Sequence, residues 1–144
     1  NEEIIKTVAM GALKFAELHH NRTSDYIFDI EKFVSLEGYT GPYVLYATVR
    51  AQSVLSKTSL VKEKHLHPLS KSERALLLEI SKFNFAFEKA LSKNEPHHLC
   101  DFSYNLATAF NNFYHHTPIL KENDGKLKSH YLWLTELSFL TLKE

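Results

Sequence analysis

The sequence has 144 residues, 17 Lys plus Arg against 17 Asp plus Glu, and a formal net charge of zero. That balance excludes a polycation gripping nucleic acid or a membrane by bulk charge, and a single cysteine excludes both a disulfide framework and a cysteine-rich zinc module. Chains of this length bury about 70% of their unfolded surface, so one domain over residues 1–144 is expected. No apolar run approaches the roughly 20 residues that span a bilayer. The first segment does not read as a signal peptide, and the expected location is cytoplasmic.

Residues 2–20 place Ile4, Ile5, Val8, Ala12, Phe15 and Ala16 three and four apart, the stripe of an amphipathic helix. A polar turn follows at 19–25, then a short apolar stretch from Tyr26 to Val34. Gly38-Tyr39-Thr40-Gly41-Pro42 is a strong break, with Pro42 suited to the first helical position, and a helix is predicted over about 42–57. The stretch 57–71 is locally basic, with Lys57, Lys62, Lys64 and Lys71 against Glu63. It reads either as a solvated connector or as a phosphate-facing loop. Ser70 and Glu73 have capping-box spacing, and the helix they open is predicted to continue to Lys93. Pro96 restarts the pattern through Leu99, Phe102, Leu106, Phe110 and Phe113 until Thr117-Pro118 ends it. A last helix starts near Leu127, after the turn Asn123-Asp124-Gly125. The fold class predicted is all-α, a bundle of about five helices.

Few residues suggest catalysis. There is no glycine-rich phosphate loop, serine-hydrolase elbow or paired-histidine zinc motif. Cys100 sits on an apolar helical stripe and reads as a small core hydrophobe. Eight of the nine histidines fall in pairs or near-pairs (19/20, 65/67, 97/98, 115/116). Helical neighbours point about 100° apart, and no carboxylate or cysteine stands at ligand spacing around His65 and His67. No metal site and no catalytic residue is expected.

The helix over 42–57 carries more information. Tyr43, Tyr46, Ala47 and Arg50 project within roughly 100° of one another, whereas Val44, Ala51 and Leu55 form a sector suited to the core. Two phenols and one guanidinium on one face can stack on unpaired bases and hydrogen-bond their edges. The same pattern also suits two tyrosines packed at a helix interface with Arg50 paired locally. Tyr114, closing its helix before His115-His116-Thr117-Pro118, is open to the same two readings.

Three stretches resemble a known family: GALKFAELHHNRTSDYIFD (11–29), LEGYTGPYVLYATVR (36–50) and PHHLCDFSYNLATAFNNFYHHTPIL (96–120). They are similar to the C-terminal anticodon-binding, or DALR, domain of arginyl-tRNA synthetases. The resemblance implies a piece of a class I ligase that attaches arginine to tRNA-Arg using ATP and Mg2+. The catalytic domain that handles these would lie N-terminal to this chain, which by itself is expected to hold no cofactor and catalyse nothing. It implies that Tyr43, Tyr46, Arg50 and Tyr114 touch the anticodon loop. Asn21 and Arg22, with Asp25, are implied to be structural or to face the tRNA or the catalytic domain. A monomer is expected, partnered by tRNA-Arg and its own N-terminal domain, with no membrane. Two departures stand out: Tyr131 occupies a position where the family usually has arginine, and the family's usual terminal segment is not reached. The alternative is a free-standing helical adaptor or RNA-binding module derived from this domain.

Overall fold

The computed structural model describes residues 2–143, and those residues form seven helices and no strand. They are α1 (Glu2–Leu18), α2 (Ile30–Phe33), α3 (Gly41–Leu55), α4 (Lys71–Ser81), α5 (Phe83–Lys93), α6 (His97–His116) and α7 (Gly125–Lys143). Two compact units can be distinguished, one of residues 1–46 and 82–105, the other of residues 47–81 and 106–144. The all-α expectation holds. The helix count exceeds five because the apolar stretch near residue 30 closes one short helix, and because the pattern over 70–93 is two helices.

That break falls at Lys82, whose backbone stays right-handed at φ −80° and ψ −6°. No glycine or proline announces it. Ser81 returns its hydroxyl to the Leu78 carbonyl at 2.8 Å, a competing bond of the kind that bends helices. The two pieces serve different cores: Glu73 and Leu76 of α4 are buried with the second unit, Ala86 and Ala90 of α5 with the first. Asn94 then ends α5 in the left-handed conformation (φ 51°) ahead of Pro96.

In the first unit the buried apolar residues are small: Ala12, Ala16, Ala86, Ala90 and Cys100, with Phe102 the exception. Small side chains let backbones approach, and α3 begins against α1 through two glycines. A Cβ on Gly41 would stand 2.3 Å from the Gly11 carbonyl oxygen, and one on Gly11 would meet Leu45 Cδ1 at 2.6 Å. Gly38, just upstream, has φ +82°, a conformation side chains resist. Thr40 caps α3: its Oγ1 accepts from the Tyr43 N–H at 3.2 Å and donates to the Ser35 carbonyl at 2.6 Å. The helix therefore starts at Gly41, one residue before the predicted Pro42, which still sits in the first turn.

The second unit has the larger side chains. Leu76, Leu106, Phe110, Phe113, Leu132 and Leu134 are completely buried, and α4 packs on α7. Ala47, Ala51 and Val54 supply the buried edge of α3 here. This corrects the sector reading at Ala47, which belongs to the core and not to the open face. Cys100, in the first unit, is buried, and that burial pushes its thiol up to about 11, away from reactivity at neutral pH.

Candidate nucleic-acid interface

Arg50 and Tyr114 come together within the second unit. The Arg50 guanidinium carbon stands over the Tyr114 ring, 4.8 Å from its centroid, inside the range of a cation–π contact. Arg50 Nη1 also donates to Asn111 Oδ1 at 2.5 Å. Asn111 lies three residues before Tyr114 on α6, so both grips on the arginine come from one helical face. Asn111 is buried, Arg50 half-buried and Tyr114 exposed. Sequence reasoning missed Asn111. A polar residue flanked by Phe110 and Phe113 in the stripe was the available signal, because a buried amide needs a partner.

Beside Tyr114 lies an open cleft of about 540 Å³, lined by Val54, the last turn of α6 and the turn through Thr117, Pro118 and Lys121. His116 Nδ1 donates to the Asn112 carbonyl at 2.8 Å, so Nε2 is the acceptor of the neutral ring. Ring, acceptor and an exposed lysine thus share one rim.

Tyr43 and Tyr46 belong to the first unit, on the same helix as Arg50, with Tyr43 three residues before Tyr46 and Tyr46 four before Arg50. Tyr46 is 48% exposed. Tyr43 is half-buried, its ring 5.3 Å from that of Tyr104, and Tyr39 lies 4.6 Å from Tyr104 in turn. Tyr39 donates to the Asp101 carboxylate, and burial together with that bond pushes its phenol well above the usual range. Of the other sequence candidates, Asn21 forms a local turn, accepting from the Thr23 N–H at 3.1 Å and its hydroxyl at 2.9 Å. Arg22 and Asp25 are exposed. Tyr131 packs edge-on against Phe113, 6.0 Å between centroids.

The basic connector is a strap on α7, all within the second unit. Ser129 donates to the Val61 carbonyl (2.6 Å) and accepts from the Glu63 N–H (3.0 Å). His130 Nδ1 accepts from the His65 N–H at 3.1 Å, and Lys62 pairs with Glu136 at 3.5 Å. The reading that no carboxylate stands at ligand spacing near His67 is corrected here. The capping box folds Glu73 back toward the strap: Oε2 accepts from the Ser70 N–H (2.8 Å) and Oε1 from His67 Nε2 (2.8 Å). His130 Nε2 lies 3.5 Å from the same oxygen, so His67, Glu73 and His130 could together surround a metal ion. The tautomer opposes that use. With Nδ1 accepting from a backbone N–H, neutral His130 carries its proton on Nε2 and points a donor, not a lone pair, at Glu73.

Burial, aided by the His67 charge, holds the His130 imidazole below its ordinary 6.5 against the pull of Glu73. A folded state that refuses a proton which the unfolded chain accepts loses stability as pH falls below 6.5. The slope from this group approaches about 1.4 kcal/mol per pH unit until its folded pKa is reached. Urea midpoints at pH 7.5, 6.5 and 5.5 are expected to decline over the last interval, and His130→Asn, which keeps an acceptor, to flatten that decline. An unchanged decline in the variant would assign it to other groups.

The comparisons with known proteins agree with this architecture. An arginyl-tRNA synthetase from Thermus thermophilus superposes with a TM-score of 0.87 at 32% identity, over 94% of this chain and 24% of that one. The arginyl-tRNA synthetase of Plasmodium falciparum superposes at 0.84 and 29% identity, over 98% and 25%. The helical fold is thus of the class found as one domain within such synthetases. Among curated sequences, an arginine–tRNA ligase of Agathobacter rectalis is 42% identical, over 95% of this chain and 24% of its own length. One of Alkaliphilus oremlandii is 40% identical, over 99% and 25%. The profile of the DALR anticodon binding domain matches residues 44–144, and the chain belongs to that family. It spans about a quarter of the length of these curated relatives.

Proposed function

We propose that this chain is the anticodon-reading module of an arginine–tRNA ligase and binds the anticodon loop of tRNA-Arg. The observation that carries the reading is the Arg50 guanidinium over the Tyr114 ring at the rim of an open cleft. Unpaired bases bind by stacking on such faces, with edge hydrogen bonds from polar tips. Tyr43 and Tyr46, in the first unit on the helix that also carries Arg50, are assigned to the same anticodon loop, Tyr46 as an exposed ring. Zero net charge suits this mode, since stacking needs little bulk charge and the basic strap offers local lysines to phosphates. Asn21 and Arg22, exposed in the first unit, are assigned to contacts with the tRNA or with the rest of the ligase.

Arginine attachment, with its ATP and Mg2+, is assigned to a catalytic domain N-terminal to this one. The chain's own contribution is to hold the tRNA by its loop, as a monomer in the cytoplasm. Among the described residues no helix is long and apolar enough to cross a membrane.

Fluorescence anisotropy with a labelled anticodon stem–loop of tRNA-Arg tests the reading. Tyr46→Ala, Arg50→Ala and Tyr114→Ala are each expected to weaken binding by about 1–3 kcal/mol, roughly five- to 150-fold, with the helical signal unchanged. Wild-type affinity in all three, or equal affinity for a stem–loop of unrelated anticodon, would sink the assignment.

A further inference from the structure

We infer that Asn111 is a positioning residue, which holds Arg50 over Tyr114 so that the arginine works as a stacking surface and not as a mobile phosphate clamp. The inference rests on the anticodon-loop reading and adds to it a named second residue and a mode of action for Arg50.

Three observations converge within the second unit. Asn111 Oδ1 accepts from Arg50 Nη1 at 2.5 Å, and the side chain supplying that acceptor is only 8% exposed. Burial fixes the amide, which therefore sets where the guanidinium stands. The guanidinium carbon sits 4.8 Å from the Tyr114 centroid, and Tyr114 is anchored in turn, its ring 6.4 Å from that of the buried Phe110. Arg50 rises from α3, Asn111 and Tyr114 from α6, and all three residues lie in the second unit, so the arginine joins the parts of two helices that belong to it.

A free arginine must surrender its rotamers when RNA arrives. One already held by a buried amide and an aromatic face has given them up in the folded protein. A guanidinium committed in this way keeps its charge and its plane, but it cannot follow a phosphate along a flexible loop. Lysine in its place would offer a point charge with neither plane nor fork.

The test uses the 144-residue chain and the labelled tRNA-Arg anticodon stem–loop, with wild type, Arg50→Ala, Asn111→Ala, Asn111→Asp and the Arg50→Ala/Asn111→Ala double variant. Freeing one rotamer-rich side chain sets the scale, about threefold to tenfold weaker binding for Asn111→Ala. Asn111→Asp retains the acceptor and is expected to restore most of the affinity. The double variant is expected to bind as Arg50→Ala alone, because Asn111 acts through Arg50. Independently of RNA, the Arg50 Nε–H resonance is expected to gain motion in Asn111→Ala and to stay rigid in Asn111→Asp. The salt dependence of binding is expected to keep its slope in Arg50→Ala, whereas loss of a phosphate contact would lower it by about one.

Additive losses in the double variant, a rigid Arg50 in Asn111→Ala, or a reduced salt slope in Arg50→Ala would each overturn the inference while leaving Arg50 in the site. Unchanged binding by Arg50→Ala would instead overturn the anticodon-loop reading, and the inference with it.

Discussion

Gly41→Ala is expected to destabilise the protein by about 3 kcal/mol, at the upper end of what overpacking costs. The new Cβ would stand 2.3 Å from the Gly11 carbonyl oxygen, 2.8 Å from its carbon and 2.9 Å from Phe15 Cβ. Two of these neighbours are backbone within α1, so relief requires the start of α3 and the middle of α1 to move apart. Gly11→Ala is the internal control. Its Cβ would meet Leu45 Cδ1 at 2.6 Å, the far end of a side chain that can change rotamer. That substitution is expected to cost about 1 kcal/mol or less, because alanine also favours the helix over glycine by up to about 1 kcal/mol. Urea unfolding followed by circular dichroism compares the two, and equal costs would show that α1 and α3 do not meet through backbone. The consequence reaches function, because the Gly41 contact sets the first turn of α3 and the same helix carries Tyr43, Tyr46 and Arg50. Gly41→Ala is therefore expected to weaken stem–loop binding as well, and Gly11→Ala to spare it.

These contacts show which parts of the molecule the sequence makes legible. Helix starts carry local chemistry: Ser70 with Glu73 is readable as a capping box, while the break at 38–42 and the turn at 123–125 locate two more starts without naming their caps, Thr40 and Asp124, whose carboxylate accepts from the Lys126 and Leu127 N–H groups. The break at Lys82 is not readable, since it comes from a change of packing partner and leaves the backbone right-handed. Along α3 the 100° step separates an open side, where Tyr46 and Val49 are exposed, from a buried one. It does not say how close the opposing wall stands, and so it misplaces Ala47. The pairing of Arg50 with Asn111 and Tyr114 joins positions 61 and 64 residues apart in sequence. Spacing left Arg50 and Tyr114 each open to a base-stacking and a packing reading, the family resemblance put both on one surface, and neither nominated Asn111. Glu73 was legible as half of a capping box and illegible as a neighbour of His67 and His130.

That second role gives Glu73 the other large effect. Its carboxylate is 2% exposed and accepts two bonds of 2.8 Å, from the Ser70 N–H and from His67 Nε2. Burial alone would raise its pKa, but the donors at Ser70 and His67 outweigh burial and hold the carboxyl below the usual range. Glu73→Ala removes both acceptors at once. The Ser70 N–H and the His67 ring lose their partner, the α4 cap loses one of its two reciprocal bonds, and His130 Nε2 loses the charge it faces. A lost cap costs about 1 kcal/mol, and a buried hydrogen bond to a charged group about 1.5–3 kcal/mol. The expected total is about 2–4 kcal/mol, which at this chain length lowers the melting temperature by roughly 4–16 °C. Glu73→Gln keeps one carbonyl acceptor and is expected to recover part of the loss. The protein carries its own reporter: Trp133, its only tryptophan, stands 5.4 Å from the His130 ring in the same unit. In Glu73→Ala its fluorescence transition is expected to move to lower urea than in wild type. Should circular dichroism report a later transition than the tryptophan, the two units would be unfolding separately. A Glu73→Ala protein with wild-type stability would mean that the strap, the α4 cap and α7 are held by the apolar contacts around Leu76 and Leu132 alone.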